Sequence, residues 1–216
     1  MKMNLVGVVI TILLCAMKPT GHCQGTFVNL DFEHPNLPLI DDGFGRVPIT
    51  NALPGWNGYI NGSGVGSVFY NAISLGAPAI SLHTTGSIEP ILEGSYTVLL
   101  QPNFPGATFI PALAQVGIVP GSAQSVRFYG GPGFYSLYFS GQQIPLVNLA
   151  STANYTIFGG DISAFANQPG ELRIQGGGLV DNIFFSDQRI PEPSTFAILA
   201  FGLASFGARL LRKRFS

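Results

Sequence analysis

From residue 26 to residue 187, apolar side chains recur at every second position in short runs. No stretch keeps a 3.6-residue period long enough to make a capped helix. In residues 27–33, Val28, Leu30 and Phe32 alternate with Asn29, Asp31 and Glu33, which is the period of a half-buried strand. Comparable runs follow at 67–75, 79–84, 95–101, 112–118, 125–129, 134–140, 155–158, 171–175 and 179–186. Turn-forming residues separate most of them: Asn61-Gly62, Pro120-Gly121, Gly130-Gly131-Pro132-Gly133, Gly159-Gly160, and Gly176 to Gly178. Residues 163–167 admit one helical turn at most.

About ten short strands in one body predict an all-β fold, an antiparallel β-sandwich of jelly-roll type. No internal repeat supports a propeller or solenoid. Charge narrows the function classes. Only 10% of residues are charged, against about 25% in ordinary domains, which excludes a coiled coil or a charged disordered chain. Of the ten basic residues, six lie at the ends (Lys2, Lys18, Arg209, Arg212, Lys213, Arg214). Residues 24–190 keep Arg46, Arg127, Arg173 and Arg189 against ten acidic residues. Such a body has no basic patch for phosphates, so nucleic acid is not its partner. Its outward strand positions fall to Ser, Thr, Asn, Gln and Tyr, a neutral polar surface.

The two ends read as addresses. Lys2 precedes an apolar run at 5–17, and Gly21 and Cys23 are small residues before Gln24, so residues 1–23 are expected to be a signal peptide cut by signal peptidase. An uncut N-terminal anchor is the alternative. The two cysteines, Cys15 and Cys23, both fall inside that segment, leaving the body without disulfides or thiolate metal sites. At the other end Pro191-Glu192-Pro193 precedes the uncharged, mostly apolar residues 196–208, and Arg209, Arg212, Lys213 and Arg214 close the chain. As a helix, residues 196–211 reach roughly 24 Å, nearly a membrane core, with Arg209 able to snorkel. The basic end is expected on the cytoplasmic side and the body outside. Triplet, helix and basic stop together resemble the PEP-CTERM sorting signal of Gram-negative bacteria. The resemblance implies that an exosortase-type membrane protease recognises residues 191–216 and removes the helix. It also implies a transient membrane anchor, delivery to the cell surface or matrix, and a host that makes exopolysaccharide. A plain single-span anchor is the alternative.

The body, residues 24–190, is similar to carbohydrate-binding and galactose-binding-like domains in short segments: 27–33 followed by Leu53-Pro54-Gly55-Trp56, then 161–166 with 171–174, then 179–186. The resemblance implies that an acidic residue of the first strand and the Asp of the last share a structural calcium. The candidates are Asp31, Glu33 and Asp181, hard oxygen ligands of the kind calcium takes; the alternative is that they cap turns. No other cofactor is expected.

No nucleophile elbow, paired catalytic carboxylates or phosphate loop stands out. Asp41-Asp42 and Glu89/Glu93 read as loops, Gly130 to Gly133 leads into a strand, and His34 and His83 are isolated. Catalytic residues are therefore expected to be absent. Sugar stacking needs aromatic faces with amides beside them. Trp56, Tyr59, Asn61 and Tyr70, with Asn57 and Asn71, are the candidates; Phe134, Tyr135, Tyr138 and Phe139 are a second group. Trp56 as a core plug is the competing reading. The expected function is that of a non-enzymatic exported protein, structural or adhesive in an exopolysaccharide matrix. A carbohydrate-binding module is the alternative, and a glycan-acting hydrolase the third.

Overall fold

The computed structural model describes residues 25–37 and 45–191. The expected signal peptide, Asp41-Asp42, Glu192-Pro193, the apolar segment 196–208 and the basic stop lie outside the described residues. Among the described residues no helix is long and apolar enough to cross a membrane.

The body is all-β. Its strands are β1 (Arg46–Pro48), β2 (Asn57–Ile60), β3 (Ser63–Val65), β4 (Ser67–Tyr70), β5 (Ala79–Thr84), β6 (Tyr96–Gln101), β7 (Pro111–Ile118), β8 (Ser125–Gly130), β9 (Phe134–Phe139), β10 (Gln142–Ile144), β11 (Val147–Ser151), β12 (Thr156–Asp161) and β13 (Pro169–Ser186). One helical turn, α1 (Ile49–Ala52), and a 3-10 turn at Ser163–Phe165 complete the elements.

Two pairing networks meet in β13. The first runs β1-β4-β5-β6-β13-β8-β12-β11, and the second β3-β2-β7-β13-β9-β10. The first half of β13 pairs with β7 and β9, through Pro169 to Gly177. Its second half, Gly178 to Ser186, pairs with β6 and β8. Both networks supply one buried cluster, in which Leu82, Val98, Leu100 and Phe128 join Leu113, Leu137, Phe139, Leu172 and Ile174. Every pair is antiparallel except β4 with β5, where Phe69 lies opposite Ser81 in a parallel register. That short pairing departs from the all-antiparallel expectation. Residues 71–78 carry the chain back along β4 before β5 starts, so the two strands run the same way.

Gly159-Gly160, expected as a turn, lies inside β12, opposite Arg127 and Val126 of β8. Two further sequence expectations are corrected. The first concerns Gly176 to Gly178, expected as a turn between two strands. The ladder instead runs straight through them, because the chain there is crowded by backbone. A Cβ at Gly176 would collide with the carbonyl oxygen of Phe134, and one at Gly178, where φ is +146°, with the Tyr135 hydroxyl and the Pro132 carbonyl. The glycines let β13 pass between the networks with β9 pressed against it. The Tyr135 hydroxyl locks the crossing, lying 2.8 Å from the Leu179 carbonyl and 2.9 Å from that of Gly131. Burial pushes this phenol well above its usual range.

The second concerns residues 27–33, expected as the first strand. They form no ladder. Asn29 (φ 49°) and Phe32 (φ 59°) are left-handed, which turns Phe27, Leu30 and Phe32 inward and leaves Val28 52% exposed. A side chain stands in for the missing strand. The buried Gln115 carboxamide accepts from Val28 N at 2.6 Å and donates to Val28 O at 2.9 Å. Leu30 O accepts from Ile183 N at 2.9 Å.

Gly176→Ala should cost about 3 kcal/mol in urea unfolding, through overpacking against fixed backbone. Gly64→Ala, whose Cβ meets open space, should stay within about 0.5 kcal/mol of the parent.

Candidate functional site

Asp31, Glu33 and Asp181 come together. They line one cleft of about 230 Å³ with Glu93, Gly94 and Asn182. Asp181 is only 1% exposed. A bulge in the β13–β8 register between Asp181 and Phe184, with Asn182 at φ 41°, sets its position. Its Oδ2 accepts from Thr97 Oγ1 at 2.7 Å and Glu93 N at 3.1 Å, and its Oδ1 accepts from Asn182 N at 2.7 Å. Glu33 Oε1 accepts from Ser95 N at 2.9 Å and Tyr96 N at 3.0 Å. Asn182 Nδ2 donates to Glu93 Oε2 at 2.6 Å.

Hard oxygens suit calcium, and in this arrangement several of them are already engaged by protein donors. Both oxygens of Asp181 and one of Glu33 already accept from the backbone or a hydroxyl. Among the described residues, no three acidic, His or Cys side chains converge as metal ligands. What the arrangement does is hold residues 93–96 against β13 by filling their N–H groups.

Asp181 also stores a pH dependence. Burial is the main cause of its pKa, pushed up to about 7; the Glu33 charge adds to it, and the hydrogen bonds from Thr97, Glu93 and Asn182 oppose it. The native state therefore holds a proton that the unfolded chain releases near pH 4. Stability from this group is present below pH 4 and is lost as pH rises to about 7. In EDTA, the unfolding free energy should fall by at most about 1.4 kcal/mol per pH unit across that window. Asp181→Asn should remove that slope and lower stability throughout, since its amide nitrogen cannot accept. Adding calcium should leave the melting temperature unmoved. A rise of several degrees would show the carboxylates regrouping around the ion.

The stacking candidates separate. Trp56 is 2% exposed, sits 5.6 Å from the Phe32 ring, and donates from Nε1 to Asn29 O at 2.9 Å. Its faces are covered, so it plugs the core and offers none to a sugar. Asn61 (φ 50°) and Gly62 (φ 80°) make the tight turn between β2 and β3, so Asn61 is a turn residue. Tyr70, on β4 in the first network, packs half-buried against the core, away from the strand that carries Tyr59. Trp56→Ala should cost about 4 kcal/mol of stability by cavity formation, read by urea unfolding, rather than leave the fold intact.

Tyr59 faces outward on the second network. Register puts Tyr59, Ala112, Gln175 and Ser136 in one row across β2, β7, β13 and β9. The next row is Asn57, Ala114, Arg173, Tyr138 and Gln143. Residues directly opposite share a face. The Arg173 guanidinium lies 4.3 Å over the Tyr59 ring and is held by Glu171 at 2.9 Å. Gln175 Nε2 reaches the Tyr138 hydroxyl at 3.4 Å. The buried Ala112 and Ala114 keep the middle low. The second aromatic group splits by strand alternation: Tyr135 and Phe139 point inward, Phe134 and Tyr138 outward. Arg173, Gln175 and the two alanines were not singled out by sequence. Their common signal is alternation within 112–118 and 171–175, which marks a face but not its neighbours.

Buried His83 binds Ser87 Oγ through Nδ1 at 3.0 Å, and burial lowers its pKa. Asp181 is almost fully buried at the acidic cleft it lines.

After β13 the chain reaches an exposed Pro191, with Arg189 Nε 3.3 Å from Gln124 Oε1. Residues 189–214 match the PEP-CTERM protein-sorting motif. The PEP-CTERM match implies export, a C-terminal membrane-anchoring sorting signal, and an exosortase-type processing partner. It covers the triplet, the apolar segment and the basic stop, Arg209, Arg212, Lys213 and Arg214. No curated protein matches the chain.

Proposed function

We propose that this is a non-enzymatic exported protein, parked in the membrane by its PEP-CTERM segment and released to the cell surface or matrix. There its sandwich-like body adheres to exopolysaccharide. The observation that carries the adhesive part is the outward face of the second network. Tyr59 and Tyr138 provide apolar ring area, and Arg173, Gln175 and Asn57 provide donors. A pyranose offers the complementary surface, with an apolar ring face and peripheral hydroxyls. The non-enzymatic reading is supported by the burial of Asp181, whose carboxyl accepts from Thr97, Glu93 and Asn182.

The carbohydrate-binding module reading differs in demanding one defined glycan. It is favoured only by the same face, since Trp56 has left the candidate set.

Two measurements test the proposal. The intact mass of protein recovered outside the cell should lack residues 1–23 and 196–216. Replacing Pro191-Glu192-Pro193 by alanines should leave the chain full length at its C-terminus and membrane-bound. On a column of the producing strain's exopolysaccharide, Tyr59→Ala and Tyr138→Ala should each lose most retention with an unchanged circular dichroism spectrum. Retention unaltered in both variants would remove the adhesive role from this face.

A further inference from the structure

A second cleft lies elsewhere, at the end of the β8–β12 pair. It measures about 250 Å³ and is lined by residues 130–133 on one side and 152–156 on the other, with Phe158 behind. None of its lining residues carries a charge at neutral pH. The rim is held in shape by its own hydrogen bonds. Thr152 Oγ1 accepts from Asn154 N at 3.2 Å and Tyr155 N at 3.1 Å and donates to Tyr155 O at 3.0 Å, while Thr152 N donates to the same carbonyl at 2.8 Å. The Tyr155 ring stacks on Tyr129 at 4.1 Å and 6°. The opposite wall is fixed by Gly131 N donating to Leu179 O at 3.0 Å. Gly133 has no room for a side chain, because a Cβ there would meet the Gly177 carbonyl. The floor is therefore bare backbone.

By contrast, the exposed Asn154 carboxamide makes no hydrogen bond among the described residues, and neither do the N–H and carbonyl of the exposed Gly133. Donors and acceptors of both kinds face a neutral space beside two aromatic rings. The volume lies just below the 300 Å³ or so at which drug-sized pockets begin, so the occupant is small. An anion would find no cation there, and a cation no carboxylate.

We propose that this cleft binds one unit of a neutral saccharide, with vicinal hydroxyls on Asn154 and the Gly133 backbone and a ring face toward Tyr155. The pre-ordered rim keeps the entropic cost low. This deepens the reading of the body as a polysaccharide-contacting domain and rests on it. It uses no residue of the Tyr59–Tyr138 face, so the two readings fail separately.

The test uses the full chain in a zwitterionic detergent free of sugar headgroups, titrated with neutral gluco-, manno- and galacto-oligosaccharides and followed by amide and side-chain NMR shifts. At least one series should move Gly131, Gly133, Asn154 and Tyr155 together. Asn154→Ala, which removes an unbonded exposed group, should weaken that binding roughly tenfold, the loss of about 1.4 kcal/mol. Ala153→Leu, which narrows the mouth, should do the same, and Tyr138→Ala should leave it unchanged. Shifts confined to the Tyr59–Tyr138 face would overturn the cleft while sparing the adhesive reading. No shift anywhere with any neutral series would overturn both. Tighter binding of a peptide or a uronic-acid oligomer at the cleft would overturn the ligand class.

Discussion

A backbone passing against backbone holds this body together. Gly176, Gly177 and Gly178 let β13 leave one pairing network and enter the other, with the Phe134 backbone against Gly176 and the Phe134, Pro102 and Tyr135 side chains filling the space at Gly177 and Gly178. Because β13 pairs with β6, β7, β8 and β9, the core that lies between Leu113 and Phe128 exists only once that crossing is made. The Tyr135 hydroxyl, reaching the Leu179 carbonyl just past the crossing and the Gly131 carbonyl of the preceding loop, ties β13 to that loop.

That dependence also accounts for what is polar inside. Asp181 is buried because β13 bulges there, and its carboxyl takes donors from Glu93, Thr97 and Asn182. Glu33 does the same work from the irregular N-terminal segment. Two acidic residues far apart in sequence thus pin one loop. The cleft between them is the gap left by that pinning, and it need not be read as a site of chemistry.

Much of the strand pattern was legible in sequence, since alternation survives wherever one face is buried. β5 falls on the expected residues, and β6, β7, β8 and β9 lie within one residue or so of them. Alternation misled at 27–33, where Asn29 and Phe32 adopt left-handed backbone that a run of alternating residues does not announce. It also misled at Gly176 to Gly178, where a triple glycine reads as a turn yet serves close approach. The strands β1, β3, β10 and β11 are short or exposed, and carry too few buried positions to leave a period. Of the site residues, the acidic trio was foreseen as neighbours, but their partners Thr97 and Glu93 come from pairing that only the register reveals. Trp56 could be read as plug or platform, and only its contact with Phe32 and Asn29 decides.

The sorting motif follows directly on the strand that every other part of the body leans on. That strand is hydrogen-bonded on both flanks, to β7 and β9 along its first half and to β6 and β8 along its second, so load arriving at its C-terminal end is shared between two ladders rather than carried by one.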